Sequence, residues 1–244
     1  MRQRIYVWQI PVRLTHWVNV LSIVLLSFTG YFIGNPWLFV AERETYASFF
    51  MGTVRFVHFA AAFIFLASLL LRTYWAIAGN AWSSWRGLFP FLTKRGRQGM
   101  LHAAQYYFFL RRDPPETIGH NALAGMTYAI IVTLYAIISF SGLALFGDLH
   151  PASIWAKLTG WVFTFLTSQQ LRTAHHFIMY LLIVFACYHI YVAWLIDMEE
   201  GNGLMSSMFS GYKFLHRDQA PDWIEPEGAT PPSAKSKKAS SHAD

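Results

Sequence analysis

Four long stretches of the chain contain no Asp, Glu, Lys or Arg, and they limit the possible fold more than any other feature. They cover residues 14–41, 56–71, 117–147 and 173–196. The hydrocarbon core of a bilayer is about 30 Å thick, and a helix of roughly 20 apolar residues crosses it. With 55% hydrophobic and 13% charged residues, the composition is not that of a soluble protein. We predict an all-α integral membrane protein, a four-helix bundle with spans near residues 17–35, 53–78, 122–146 and 174–196.

The distribution of positive charge predicts the orientation of these spans. Of the 19 Lys and Arg residues, 15 lie before the first span, between the second and third, or after the fourth. Because Lys and Arg concentrate on the cytoplasmic side of membrane proteins, both termini are expected in the cytoplasm. The net charge of +6 then reflects topology and contact with anionic lipids, and it requires no nucleic acid partner.

The remaining segments are expected to lie at the membrane surface or outside it. Residues 158–171 are apolar but short for a crossing, and residues 90–110 mix aromatic and basic side chains, so both are interpreted as interfacial helices. Residues 1–216 should form one transmembrane domain and residues 217–244 a cytoplasmic tail, disordered from about residue 228. The single cysteine, Cys187, cannot form a disulfide or a four-cysteine iron–sulfur cluster, so any cluster must belong to a partner.

The motif Arg-x-x-His recurs where apolar stretches begin. It pairs Arg13 with His16, Arg55 with His58, and Arg172 with His175. Ionisable side chains are costly inside a bilayer and usually serve a function, although an arginine near a helix end is also a common interfacial anchor. The flanking residues do not align, so the recurrence is interpreted as one kind of local site rather than an internal repeat.

Helical spacing predicts which histidines face each other. His175 and His189 are fourteen residues apart, which is about 40° short of four turns and about 21 Å along a helix. His176 would point roughly 140° away from His189, so His175 is favoured. In an up-and-down bundle His175 then lies at the depth of His58, and His189 at the depth of His16. Each pair can hold one iron between two neutral imidazoles, and we predict two b haems.

Arginines at related positions are candidates for binding the haem propionates. The arginine of each motif lies one turn nearer the membrane surface than its histidine, where a guanidinium can bind a carboxylate in bidentate geometry. With both termini in the cytoplasm, the haem of His58 and His175 is the outer one and the haem of His16 and His189 the inner one. Arg55 and Arg172 are then at the outer haem and Arg13 at the inner one. Arg72, fourteen residues after His58, shares its face at the level of the inner haem. It could neutralise that haem or line a neighbouring pocket.

Several motifs together resemble one protein family. They are Ile10-Pro-Val-Arg-Leu-Thr-His-Trp17, Phe28-Thr-Gly-Tyr-Phe-Ile-Gly-Asn-Pro36, Met51-Gly-Thr-Val-Arg-Phe-Val-His58, Leu71-Arg-Thr-Tyr-Trp-Ala76, Ile118-Gly-His-Asn121 and the spacing from His175 to His189. Over about residues 6–212 the chain resembles the b-type cytochrome subunit of membrane-bound Ni/Fe uptake hydrogenases. The resemblance implies four transmembrane helices and haem b. By position it also implies axial ligands at His16, His58, His175 and His189.

The resemblance also implies a function. The chain would anchor the periplasmic small and large hydrogenase subunits to the bacterial inner membrane, and it would pass electrons from the small subunit's iron–sulfur chain to quinone. It would have no hydrogen-activating site of its own. Quinone reduction needs protons, so polar side chains are expected near the inner haem: His120 and Asn121, with Arg72 and either Asp197 or Glu200. Asn121 is equally suited to cap the third helix.

Three other interpretations stay open from the sequence. The chain could be the related cytochrome b of another respiratory enzyme, of the formate dehydrogenase or thiosulfate reductase type. A histidine-lined metal transporter would need acidic or thiolate ligands along its path, yet the third span has no charge and the chain has one cysteine. A purely structural anchor would bind no haem.

Overall fold

Four long helices account for most of the structure. The computed structural model describes residues 2–36, 49–80, 82–89, 97–99, 101, 105, 110 and 122–216. In chain order the elements are β1 (Arg2–Tyr6), α1 (Ile10–Gly34), α2 (Phe50–Ala78), α3 (Trp85–Leu88), α4 (Ala122–Leu149), α5 (Ile154–Thr159), a 3-10 helix (Gly160–Thr164), α6 (Ser168–Glu200), α7 (Leu204–Ser210) and β2 (Tyr212–His216).

Helices α1, α2, α4 and α6 are each long and apolar enough to cross a membrane. The predicted transmembrane four-helix protein is therefore confirmed. The helices extend past the apolar spans because local signals set their ends. Pro11 lies in the first turn of α1, where its missing N–H costs nothing. Thr167 and Gln170 form a capping box at the start of α6, each side chain accepting a hydrogen bond from the other residue's backbone N–H.

The long helices pack as two antiparallel pairs. Helix α1 lies along α2, and α4 lies along α6. Between the pairs the backbones approach mainly where α1 meets α6, and elsewhere the contact is made by large side chains. One example is the edge-to-face contact of Phe65 on α2 with Tyr135 on α4, whose ring centroids are 5.1 Å apart. The space between the pairs is therefore bounded by side chains rather than by closely packed backbone.

A two-stranded antiparallel sheet lies at one end of the bundle, and the sequence analysis did not predict it. In its register Arg2 lies opposite His216 and Tyr6 opposite Tyr212. Gly211, between α7 and β2, has a φ of +89°, a conformation that only glycine adopts without strain. The fold is thus mostly helical rather than all-α. The sheet brings the segment before the first span and the segment after the fourth to the same end of the bundle.

Polar contacts at this end fix the start of α1 against α2 and α7. The Gln9 side-chain oxygen accepts hydrogen bonds from Trp75 Nε1 at 2.8 Å and from the Asn80 backbone at 2.9 Å. Trp8 Nε1 donates to Ser207 Oγ at 3.1 Å. Trp8 also belongs to a buried apolar cluster with Val7, and this cluster sets the position of the first turns of α1.

Residues 158–171 differ from the single interfacial helix expected from the sequence. They comprise the end of α5, the 3-10 helix and the start of α6. Val162 and Leu171 from this stretch pack around Ala144 of α4, so part of the stretch is buried against the bundle. The tail at residues 217–244 and most of residues 90–110 lie outside the described residues.

Candidate haem-binding sites

Gly30 of α1 lies between the helices that hold His58 and His175: a Cβ atom added there would be 3.2 Å from Cε1 of His58 on α2 and 3.6 Å from Sδ of Met179, one turn after His175 on α6. A hydroxyl group on a neighbouring helix contacts each histidine ring. Thr29 Oγ1 on α1 is 2.9 Å from Nδ1 of His58, and Ser141 Oγ on α4 is 2.9 Å from Nδ1 of His175. We name these four residues site I. All four long helices contribute one side chain to it.

Glycines next to the two hydroxyl residues make room for the rings of site I. A Cβ atom added at Gly30 would lie 3.2 Å from Cε1 of His58, and one at Gly142 would lie 3.2 Å from Cε1 of His175. Such distances are tighter than ordinary van der Waals contact. The two glycines therefore allow each imidazole to lie directly against the neighbouring helix.

His176, the neighbour of His175, is directed to α1 instead. Its Nδ1 lies 2.9 Å from the carbonyl oxygen of Arg172, and its Nε2 lies 3.4 Å from that of Gly30. A Cβ atom added at Gly34 would come within 2.7 Å of the same Nε2. Nε2 of His176 therefore faces the backbone of α1. Like the helical spacing, this contact favours His175 over His176 as the partner of His58.

His16 on α1 and His189 on α6 form a second pair, which we name site II. Their ring centroids are 6.3 Å apart and their planes are inclined by 61°. An imidazole nitrogen binds a metal at about 2 Å and lies about 1.1 Å from its ring centre, so rings on opposite sides of one metal have centres roughly 6 Å apart. His189 stacks on Phe185 at 5.6 Å, and His16 meets Trp17 edge-on at 5.3 Å. The spacing of this pair fits a shared metal centre.

Two polar side chains near His16 on α1 have a buried atom without a hydrogen-bond partner in the described part of the chain. Arg13 and Asn19 lie one turn to either side of it on α1. The Arg13 guanidinium donates to the carbonyl oxygen of Phe209 on α7, while its Nε and the Asn19 Oδ1 are buried without a partner among the described residues. A buried group without a partner costs about 1–3 kcal/mol. A bound carboxylate, such as a haem propionate, would satisfy the free donor of Arg13, so the residues of site II fit haem.

The three other candidate arginines lie in two different settings. Arg55 and Arg172 are exposed near the starts of α2 and α6. Arg72 donates to the carbonyl oxygen of Ser83 at 3.3 Å, and its guanidinium lies 5.7 Å from the ring centroid of Tyr128 on α4. Arg72 thus joins α2 to α4, whereas site II joins α1 to α6.

The residues expected near a quinone are described only in part. His120, Asn121 and the side chain of Glu200 lie outside the described part of the chain. Asp197, eight residues after His189 on α6, has one buried carboxylate oxygen without a partner among the described residues. Of the residues expected near a quinone, Arg72 therefore contacts α4, and Asp197 has a buried oxygen on α6.

Thr29 and Ser141 were not predicted as site residues, although the sequence contains a signal for them. The tetrapeptide Ser27-Phe-Thr-Gly30 on α1 recurs as Ser139-Phe-Ser-Gly142 on α4. Each tetrapeptide contacts the histidine of the Arg-x-x-His motif on the paired helix. At site I the two helix pairs are therefore equivalent. The recurrence of Arg-x-x-His on α2 and α6 is part of a local repeat, which corrects the interpretation from the flanking residues, because the repeated tetrapeptides lie on the partner helices.

When the two helix pairs are aligned by these recurring residues, site II has no second copy. Matching α1 to α4 by the tetrapeptides places His16 opposite Tyr128, and matching α2 to α6 by His58 and His175 places Arg72 opposite His189. The counterpart of the His16 and His189 contact is thus the contact of Tyr128 with Arg72. Because this counterpart contains no histidine, the two helix pairs give two candidate haem sites and not a third.

Comparison with known proteins gives a consistent relationship. The model of the prokaryotic cytochrome b561 family matches residues 7–211. A protein of Rhizobium leguminosarum bv. viciae, named probable Ni/Fe-hydrogenase B-type cytochrome subunit, is 40% identical over 217 residues, 88% of this chain and 90% of that one. A protein of Escherichia coli K12, named probable Ni/Fe-hydrogenase 1 B-type cytochrome subunit, is 35% identical over 214 residues, 85% and 90% of the two chains. The resemblance inferred from the motifs is thereby confirmed, and this multi-pass membrane protein belongs to the prokaryotic cytochrome b561 family, which implies haem b.

Proposed function

We propose that this chain is the membrane anchor and electron-transfer subunit of a Ni/Fe hydrogenase, which passes electrons from the iron–sulfur chain of the small subunit through two b haems to the quinone pool. The names of its relatives support the hydrogenase partner. The histidine geometry supports the two haems. The hydrogen-activating site belongs to the large and small subunits, and this chain contributes placement and tuning of the cofactors.

The observation that carries the proposal is the 6.3 Å separation of the His16 and His189 rings, which come from different helices. In this proposal His16 and His189 hold one haem, and His58 and His175 hold the other. Bound haem supplies a one-electron carrier at each of two depths. Fourteen residues of continuous α6 separate His175 from His189, so the two depths differ by about 21 Å.

The arginines of the chain neutralise the haem propionates in this proposal. Arg13 serves site II, where its Nε is buried and lacks a partner among the described residues. Arg55 and Arg172 serve site I from the exposed starts of α2 and α6, with side chains long enough to reach along the helix surface. Arg72 contributes positive charge near the end of the bundle that contains site II.

The proposed orientation puts site I on the periplasmic side, next to the hydrogenase, and site II near the cytoplasm. Both termini are then cytoplasmic, the membrane is the bacterial inner membrane, and anionic lipids contact the basic segments. The pairing of β1 with β2, which puts both ends of the transmembrane domain together, supports an even number of crossings. Quinone would bind near site II, with His120 and Asn121 as candidate contacts.

The alternatives have less support. Formate dehydrogenase and thiosulfate reductase cytochromes share the chemistry, but the relatives reported above carry hydrogenase names. A metal transporter has no observation in its favour, since the described residues contain no group of three or more His, Cys, Asp or Glu side chains that could hold a metal ion.

The proposal is tested by purifying the chain in detergent from a membrane that also contains its hydrogenase. A reduced-minus-oxidised spectrum with haem quantification should give two b haems per chain, and hydrogen gas should reduce them in the intact complex. A preparation without haem would overturn the cytochrome assignment. Copurification with a molybdenum subunit instead of a Ni/Fe heterodimer would overturn the hydrogenase assignment and leave the haem sites standing.

A further inference from the structure

We propose that Thr29 and Ser141 are positioning residues that fix the tautomer and the orientation of both histidines of site I, so that each presents Nε2 to a haem iron. This inference rests on the proposed function, because it requires a haem at site I. It concerns the hydroxyl groups rather than the histidines. It also explains why the same tetrapeptide pattern occurs on α1 and on α4.

The hydroxyl of Thr29 has a single proton, two carbonyl neighbours and one histidine neighbour; the second carbonyl oxygen, that of Leu26, is 3.3 Å away and could share the proton but cannot supply one. Thr29 Oγ1 lies 2.7 Å from the carbonyl oxygen of Leu25 and 2.9 Å from Nδ1 of His58. A carbonyl oxygen only accepts hydrogen bonds, whereas a hydroxyl both donates and accepts. Both contacts are hydrogen bonds at once only if Thr29 donates to Leu25 and accepts from Nδ1–H of His58. The proton of the neutral ring is then on Nδ1, and the lone pair of Nε2 is available to a metal.

Ser141 repeats this arrangement on the other helix pair. Its Oγ lies 3.0 Å from the carbonyl oxygen of Ile138 and 2.9 Å from Nδ1 of His175. By the same count of protons, Ser141 donates to Ile138 and accepts from Nδ1–H of His175. The two equivalent helix pairs thus reach the same tautomer by the same arrangement. A histidine ligand whose second ring nitrogen donates its N–H to a neighbouring acceptor is the usual arrangement in metal sites.

Orientation is fixed together with the tautomer. Each ring has a hydroxyl at Nδ1 and a glycine 3.2 Å from Cε1, measured to an added Cβ atom. A ring held at both edges has little freedom to rotate. His176 provides the contrast: its Nδ1 also meets a carbonyl oxygen, that of Arg172, but its Nε2 faces the backbone of α1. A proton on Nδ1 is therefore not sufficient for a metal ligand. What distinguishes His58 and His175 from His176 is an Nε2 that does not face a backbone.

The hydroxyl bonds are expected to affect the haem of site I only. A hydrogen bond from Nδ1–H increases the basicity of the ring and favours the more positively charged, oxidised iron. Its removal therefore raises the midpoint potential of that haem and loosens the ring. The rings of site II have no hydrogen-bond partner among the described residues, so the other haem should not respond.

The test compares Thr29→Val and Ser141→Ala with the unaltered protein in the full hydrogenase complex. Valine keeps the shape of threonine without the hydroxyl, and Thr29→Ser restores the hydroxyl and should restore the normal behaviour. Thr133→Val is the matched control, because the Thr133 hydroxyl donates to the Ala129 carbonyl at 2.9 Å on an exposed face without a histidine. The readouts are an optical redox titration of both haems and the low-spin EPR spectrum of the oxidised protein.

We expect Thr29→Val and Ser141→Ala each to raise the reduced-to-oxidised ratio of one haem several-fold at a fixed potential. Each variant should also shift the EPR signal of that haem alone. The affected haem should be the one that disappears in His58→Ala or His175→Ala. Titrations identical to the unaltered protein in both variants, or equal shifts of both haems, would overturn the inference. If Thr29→Val does not accumulate, Ser141→Ala tests the same device on the other helix pair.

The failure of the proposed function gives a different result. In that case the unaltered protein contains no haem, or its haem content does not depend on His58 and His175. If the haems are present and depend on those histidines while the hydroxyl variants behave normally, the proposed function stands and only the role of Thr29 and Ser141 is rejected.

Discussion

Sites I and II hold their histidines by different physical means. At site I each ring meets a hydroxyl at 2.9 Å and lies against a glycine of the neighbouring helix. At site II the rings of His16 and His189 contact aromatic side chains, and His189 is exposed on the surface of the chain. Site I joins equivalent positions of two helix pairs, whereas site II joins positions that are not equivalent.

This difference indicates what each site depends on. Hydrogen bonds are directional, so the rings of site I are oriented before a cofactor binds. Aromatic packing restricts the rotation of a ring less than a hydrogen bond does. The position of the rings of site II therefore depends also on the adjoining end of the bundle. There Arg13 donates to the Phe209 carbonyl and Trp17 donates to the Met208 carbonyl at 3.1 Å. We therefore expect changes near α7 to disturb site II and to leave site I intact.

The largest expected effect separates the two sites completely. His58→Ala and His16→Ala should each reduce the haem content from two per chain to one, and the double variant should contain none. The physical reason is that loss of one axial ligand leaves an iron with a single protein bond. Haem quantification per chain with the reduced spectrum of each variant measures this, and identical spectra of the two single variants would mean that the sites are not distinct.

Arg13→Met should produce the next largest effect, confined to site II. The variant loses the bond to Phe209 and the only unpaired guanidinium donor near His16 within the described residues. Loss of such a neighbouring group typically lowers the affinity for a bound metal group about tenfold. Haem loss during detergent washing should increase for one haem only. Arg55→Met, at an exposed position near site I, is the matched control and should not affect the same haem.

The sequence predicts the elements of this structure better than it predicts which elements are neighbours. Charge-free stretches identify four crossings, because a charge in the bilayer core is costly wherever the helix packs. Spacing within one helix predicts level and face, and it is the basis for expecting Arg72 at the level of site II. It does not say which helix lies opposite, and Arg72 meets Tyr128 of α4 instead of the helices of site II.

The features that the sequence analysis missed depend on contacts between distant segments. A serine or threonine in a membrane helix commonly donates to a carbonyl of the preceding turn, so Thr29 and Ser141 are not unusual as single residues. Only the folded structure shows that each hydroxyl has a histidine as its second partner. The strands β1 and β2 are similar, since a five-residue strand has little signal without its partner from the other end of the chain.

His176→Ala tests the assignment of His175 with a smaller expected effect. The side chain of His176 bridges α6 and α1 by its contacts with Arg172 and Gly30. Its removal leaves a cavity between the helices and should lower the free energy of unfolding by about 2 kcal/mol. Both haems should remain, in contrast to His175→Ala. Unfolding followed by haem absorbance gives the stability, and the loss of one haem from His176→Ala would mean that His176 is the ligand.

The smallest effect is expected at the end of the bundle that adjoins site II. Trp8→Phe removes the 3.1 Å hydrogen bond to Ser207, which is fully buried, and keeps most of the apolar contact. The loss of one buried hydrogen bond should lower the free energy of unfolding by about 1 kcal/mol. Trp161→Phe, at a position 57% exposed on the 3-10 helix, is the control and should change stability by less than about 0.5 kcal/mol. Because this end of the bundle supports α1 just before His16, any change in potential should occur in the haem of site II. A change confined to the haem of site I would contradict the division of the molecule into a hydroxyl-oriented site and a site that depends on α7.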